Sequence, residues 1–268
     1  QPASVHFFFA MVVLAASVWI HGLGDRNYRA LTIFTLIISA AALIATFTRG
    51  FWVGTAISLL LLFFLAEPRK KFAIAIASTI MLCLGTGGLL LFWGDLGAAV
   101  LSSVVRRFLS VGEALKDISF TNRIAESLAV VDAIVNSPVL GHGFGSSFRY
   151  HDFFKQSTYE TWYSHNGYLF LLFKVGLIGV AAFIGFYGII VTRGYRLARS
   201  VPAGDWRRAF VHGTWAVLIS MMVVTLTSNV FIEKEPLLLI SLGAAFLANV
   251  REEQYNNSPE NPESIESV

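Results

Sequence analysis

The stretch LFLLFKVGLIGVAAFIGFYGIIV, Leu169 to Val191, carries a single charge, Lys174, over its whole length. A helix crosses the hydrocarbon core of a bilayer with about 20 apolar residues, so this stretch reads as a membrane span. The same pattern recurs on both sides of it. Apolar runs occupy Val5 to Ile20, Leu31 to Phe47, Phe51 to Leu65 and Phe72 to Phe92 before it, and Ala209 to Val230 and Leu237 to Val250 after it. The short runs recruit flanking Trp, Tyr, Gly and Pro. Composition agrees: of 268 residues 55% are hydrophobic and 14% charged, at a mean hydropathy of +0.64, whereas soluble domains carry roughly 25% charged residues. The expected fold is therefore all-α, a polytopic helical membrane protein with about seven transmembrane helices.

Lone Cys83 allows neither an intrachain disulfide nor a cysteine zinc site. A net charge of +3 gives no reason to expect a nucleic-acid partner. Where the positive residues fall matters more, because cytoplasmic loops retain Lys and Arg. Arg26 and Arg29, Arg69 to Lys71, the arginines between Arg193 and Arg208, and Arg251 all fall on one side, against Arg49 and Lys234 on the other. That asymmetry puts the N-terminus and the segment from Gly94 to Ser164 outside. The first apolar run has no preceding Lys or Arg, unlike a secretory signal, so an upstream span is expected. Four parts result: 1–93 with four spans, 94–164 as a large external loop, 165–250 with three spans, and a tail at 251–268, too poor in apolar residues to build a core, that is expected to be disordered and cytoplasmic.

The loop reads as helical. Val104, Phe108, Val111 and Leu115 share one face, and Ile124, Leu128, Val131 and Val135 share another. The second helix is expected to start at Thr121 or Asn122 as N-cap and to stop at Ser137-Pro138, with Gly141 to Ser146 as a turn. That turn lacks the Gly-Lys-Ser/Thr ending and the preceding strand of a phosphate-binding loop.

Ser164-His165-Asn166-Gly167-Tyr168 runs into Gly176-Leu177-Ile178-Gly179. His165 and Gly176 are eleven positions apart, which puts them on one face of the fifth span if the helix is continuous. Gly176, Gly179, Ala182, Gly185 and Gly188 form a small-residue stripe suited to close helix packing. Gly50, Gly54 and Ser58 behind Arg49 do the same for the third span. His165 is open to two readings, an interfacial ring or a functional one. Lys174, nine residues into the fifth span, faces a site, pairs with a carboxylate or snorkels. Arg123, in the first turn of the expected loop helix where the macrodipole disfavours a cation, suggests an anion nearby or plain solvation. Arg106 and Arg107 read as solvated or headgroup contacts. Tyr159, Trp162 and Tyr163 suit either an aromatic belt or stacking on sugar rings. His142, His151 and His165 lack metal-ligand spacing, and Glu233 with Glu235 is the compact external carboxylate pair.

His165-Asn166, nine residues, then Gly176-x-x-Gly179 resembles the hallmark of the O-antigen ligase and polymerase family: His, then Asn, Ser or Gln, nine residues, and Gly-x-x-Gly. Thr48-Arg49-Gly50-Phe51-Trp52 at the start of a span, and Arg123 followed by Ser137 to Gly145, look like the same family in the same order, so the resemblance covers Phe47 to Val191. It implies an enzyme of the bacterial inner membrane, with its site facing the periplasm and the 94–164 loop periplasmic. Such an enzyme moves a glycan from an undecaprenyl-pyrophosphate-linked donor to an acceptor hydroxyl, without nucleotide sugar, cofactor or metal. The implied acceptors are a lipid A core, a growing glycan or a protein side chain. His165 fits the base that takes the hydroxyl proton, and Arg49 and Arg123 fit guanidinium clamps for the departing pyrophosphate. A polymerase or protein O-glycan transferase is the near alternative. A flippase or transporter that does no chemistry is the distant one, and the placement of polar candidates at span ends speaks against it.

Overall fold

The computed structural model describes residues 4–256 apart from 69–70, 72–93, 96, 100, 104 and 106–117. The expected fourth span, Cys83, Arg69 with Lys70, Arg106 with Arg107, the face from Val104 to Leu115 and the end of the polar tail lie outside the described residues. The rest forms α1 (Ser4–His21), α2 (Arg26–Ala45), α3 (Arg49–Leu65), α4 (Ile118–Ile134), β1 (Phe148–Asp152), β2 (Ser157–Thr161), α5 (Gly167–Ser200), α6 (Trp206–Val224) and α7 (Lys234–Asn256). By length and composition α1, α2 and α5 can cross a membrane, and α3 is an apolar helix of 17 residues.

The helix ends follow from local chemistry. Gly22 and Gly24 take positive φ between α1 and α2, and the Asp25 carboxylate caps α2 by accepting from the Tyr28 amide at 2.8 Å. Asp205 caps α6 in the same way through the Arg207 amide.

α1, α3 and α6 pack through small residues. A Cβ at Gly54 would lie 2.6 Å from Val224 of α6, one at Gly213 of α6 would lie 2.9 Å from Leu14 of α1, and Ser58 of α3 donates to Ser220 Oγ of α6 at 2.7 Å. Close backbone approach of this kind lets dispersion and interhelical hydrogen bonds hold helices together where no hydrophobic gain is available. The Gly50, Gly54, Ser58 face of α3 thus packs as its spacing suggests.

The stripe on α5 does not. Among the described residues nothing lies against Gly185 or Gly188, and Gly176 is not helical at all, with φ 63° and ψ −173°. α5 is therefore broken nine residues in, and His165 and Gly176 share no continuous helical face. The backbone groups freed by the break are taken up by the chain that follows α4. His142 and Gly143 donate to the carbonyls of Phe173 and Lys174 at 2.8 Å each, while Leu177 and Ile178 donate to those of Pro138 and Val139 at 2.9 and 3.3 Å. A Cβ at Gly176 would run into Val139 O, so glycine is required by both conformation and space. The Gly141–Ser146 turn is thus a docking segment, not only a chain reversal.

Lys174, 1% exposed, closes the same joint. Its Nζ donates to the carbonyls of Phe144 and Ser146 at 3.0 and 2.5 Å, so it neither pairs with a carboxylate nor snorkels.

The all-α expectation needs one further correction. β1 and β2 form an antiparallel hairpin in the register Tyr150↔Tyr159, where a helical loop was expected. Asn122 accounts for its placement. Instead of capping α4, which is already helical at Ile118, Asn122 accepts from the Phe153 amide and donates to Asp152 Oδ1, tying the hairpin turn to the helix. Phe148 of β1 then packs with Val130 and Ile134 of α4 and Phe173 of α5.

Candidate functional site

α4 buries one narrow stripe, Glu126, Val130 and Ile134 at four-residue spacing. An acid in that stripe needs a partner, since burying an unpaired carboxylate is costly. The partner is His165. Glu126 Oε1 accepts from the His165 amide at 2.6 Å and Oε2 from Nδ1–H at 2.7 Å, with the carboxylate side chain 4% exposed and the imidazole 41%. The two bonds fix tautomer and orientation together: Nδ1 holds its proton against the carboxylate, which leaves Nε2 as the proton-accepting nitrogen of the neutral, part-exposed ring. Tyr163 stands edge-on to the imidazole at 5.3 Å. Burial, then the Glu233 carboxylate, pushes the Tyr163 hydroxyl up to about 12, so it stays a neutral phenol; the Asn229 amide and Arg123 oppose the shift.

His165 immediately precedes α5, and the first amides of that helix are all consumed. Asn166 is the N-cap, its side chain accepting from Tyr168 and Leu169, while Gly167 donates to Thr225 O at 2.9 Å and Phe170 to Asn166 O. An Asn or Ser after the histidine thus has a local reason. The consequence for an anionic substrate is that this helix N-terminus offers it no free N–H, so charge must be met by side chains.

The turn after α6 joins the remaining pieces. Asn229 Nδ2 donates to Ser164 O at 3.0 Å, and a Cβ at Gly167 would lie 2.6 Å from Thr225, so the chain before α5 sits directly on this turn. On its other side Thr227 lies against Gly50, where a Cβ would be 2.5 Å from its Oγ1. Arg49, the first residue of α3, is therefore held at the same end of the bundle as His165. His6 and Glu233 meet there as well, at 3.3 Å, with His6 edge-on to Phe51 at 4.8 Å.

Arg123 lies one turn before Glu126, close enough to act on the Tyr163 hydroxyl. Because the chain is already helical at Ile118, Arg123 lies beyond the first turn of α4, and the macrodipole argument for an anion beside it fails. Its case now rests on its neighbours. The structure therefore brings Arg123 and His165 into one cluster and joins Arg49 to it through the Thr225–Asn229 turn. His142 and His151 go elsewhere: His142 Nε2 donates to Ala133 O at 2.8 Å, and His151 rests on Phe153.

Glu126 was missed by reading the sequence. The available signal was an acid at four-residue spacing with Val130 and Ile134, a carboxylate in an apolar stripe. His6 and Asn229 left no signal, and Glu233 stood out only as a carboxylate beside Glu235, since each meets its partner only across helices distant in the chain.

The arginines around the α5–α6 turn lie at the far end of the same helices. His21 of α1 meets His212 of α6 at 4.8 Å, and His212 bonds to Ala198 O near the end of α5, beside Arg193, Arg196, Arg199, Arg207 and Arg208.

A family model described as O-antigen ligase matches residues 34–184, more than half of the chain and a span that includes Arg49, Arg123, Glu126 and His165. No curated protein matches the sequence.

Proposed function

Because the chain belongs to the O-antigen ligase family, we propose that it is a membrane glycosyltransferase that moves a glycan from an undecaprenyl-pyrophosphate carrier to an acceptor hydroxyl. The observation that carries this reading is the Glu126–His165 pair. His165 Nε2 takes the proton of the acceptor hydroxyl as its oxygen bonds to the anomeric carbon of the donor. The carbon–oxygen bond to the pyrophosphate breaks, and the electron pair leaves with the phosphate. Glu126 keeps Nδ1 protonated and balances the charge the ring gains, the division of roles seen in other His–carboxylate bases. Arg49 and Arg123 take up the charge developing on the leaving group, since the helix amides beside His165 are already bonded. No metal or nucleotide sugar enters the step.

The enzyme is a multi-pass protein of the bacterial inner membrane, with about seven spans, its site toward the periplasm and residues 94–164 as the periplasmic segment. The placement of the α5–α6 arginines at the end away from His165 supports that orientation. The break in α5 does not favour a transporter. Transporter half-helices leave their ends free for substrate or ions, whereas here the loop backbone occupies them.

The test is to supply the purified protein in lipid with an undecaprenyl-pyrophosphate glycan and, in turn, a lipid A core, a second lipid-linked glycan and a serine-rich protein. One class is expected to acquire the glycan with release of undecaprenyl pyrophosphate, and the class identifies ligase, polymerase or protein transferase. Wild-type transfer by a well-folded His165→Ala variant would sink the mechanism.

A further inference from the structure

α4 is arranged the wrong way round for a helix standing in water. Glu126 is inside, while Ile124, Leu128 and Val131, with Val135 just past its end, follow one another at helical spacing and point outward. Leu128 is 61% exposed and Val135 72%. A soluble loop helix would present its polar face instead. The outward stripe also does not end with the helix. Val139 and Leu140 continue it, exposed at 52% and 74%. The carbonyls of Pro138 and Val139 are bonded to the amides of Leu177 and Ile178, so these residues lie directly against α5. Leu177 and Ile178 are each 61% exposed, and they belong to a helix long and apolar enough to cross a membrane. One apolar surface therefore runs from the side of a membrane span, across the docked loop, onto the outer face of α4.

We propose that this face of α4 is immersed in the outer leaflet of the bilayer, with lipid acyl chains as its partner, so that the Glu126–His165 pair operates at the membrane surface and not above it. Continuity with α5 decides the occupant, because acyl chains that cover Leu177 and Ile178 meet Leu140 and Val139 without crossing a polar boundary. The flank of α4 fits as well. Asp132 and Asn136 are exposed along one edge of the stripe, the arrangement of a helix lying in the interface with its polar side among headgroups. From Ile124 to Val135 the stripe extends about 16 Å along the helix axis, and its Ile124 end adjoins Arg123 and the turn bearing Glu126. A phosphate carried on a lipid would thus meet Arg123 without leaving the bilayer. The surface itself depends on α5 spanning the membrane and not on the chemistry assigned to His165.

The test is a nitroxide scan of the full chain in vesicles of phosphatidylethanolamine and phosphatidylglycerol. With Cys83 replaced by Ser, single cysteines at Leu128, Val131 and Val135 carry the label, with Ile178 as a lipid-facing reference and Asp132 as a flank position. Labels on the stripe should be relaxed strongly by oxygen and weakly by a water-soluble nickel chelate, like that at Ile178, and the chelate should gain access at Asp132. Free access of the chelate to Leu128 and Val135 would overturn the proposal by showing α4 in water. Protection of both positions from both reagents would overturn it too, by showing that protein covers the stripe. Neither readout requires glycan transfer, so the proposal can fail while the enzymatic reading stands, and the reverse.

Discussion

Glu126→Gln removes one charge, keeps the side-chain shape, and tests the roles within the pair. Wild-type Glu126 accepts from two donors, the His165 amide and Nδ1–H, at 2.6 and 2.7 Å. Glutamine has only one accepting oxygen. If its oxygen keeps the main-chain amide, its NH2 faces Nδ1, and the ring relieves the conflict by moving its proton to Nε2. All buried groups are then bonded, and the stability cost is limited to the charge assistance lost, roughly 1–2 kcal/mol for hydrogen bonds of this kind. Turnover behaves differently, because Nε2–H can no longer accept the proton of the attacking hydroxyl. Losing the correct tautomer removes general-base catalysis, about 10² to 10⁴ in rate. The assay is single-turnover glycan transfer from a lipid-linked donor, alongside thermal unfolding and donor binding. Expected is a variant that folds, binds donor nearly as well as wild type and transfers at least about a hundredfold more slowly. A Glu126→Gln variant with turnover within about threefold of wild type would refute the pairing as a functional device and leave Glu126 a structural tether.

Arg49→Ala and Arg123→Ala should each lower donor affinity together with rate, and Lys at either position should rescue only partly, because it keeps the charge without the planar fork; titration of donor binding in lipid checks both. Gly176→Ala should destabilise by about 3 kcal/mol or more, since positive φ and a clash with Val139 O act together, and lower yield with earlier thermal unfolding would show it. Asp152 is pushed up by burial but further down by the Lys155 and Phe154 amides and Asn122, so its folded-state value lies below the usual carboxylate range. Its contribution to the hairpin is therefore complete above about pH 4 and is lost as the pH falls through that lower value. Hydrogen exchange of the 148–161 amides should rise on acidification in the wild type and be elevated already at neutral pH in Asp152→Asn.

Much of the helical architecture was legible in the amino-acid order. The apolar runs from Val5, Leu31, Phe51, Leu169, Ala209 and Leu237 each coincide with a helix; three of these helices, α1, α2 and α5, are long and apolar enough to cross a membrane, where a segment can bond its own backbone only as a helix or in a closed barrel. The small face of α3 was readable for a similar reason, since Gly50, Gly54 and Ser58 leave no alternative use for four-residue spacing. His165-Asn166 and the paired glycines were readable as a motif, and the cap at Asn166 as local chemistry.

Tertiary structure alone decided how these pieces act. Gly176 looks like one member of a packing stripe, yet the carbonyl of Val139 occupies the space where its Cβ would stand, and the docked loop breaks the helix there. The stripe of Ile124, Leu128, Val131 and Val135 looks like a core face by periodicity, yet the neighbouring Glu126 face is the one turned inward. Periodicity reports that a helix has two unlike sides; it does not report whether protein, water or lipid lies against each. Glu126 and His165 are thirty-nine positions apart, and a bond between them exists only because α4, the hairpin and the start of α5 fold onto one another. A linear pattern can nominate a histidine, but which of its nitrogens is free to react is settled by the carboxylate that the fold brings to the other.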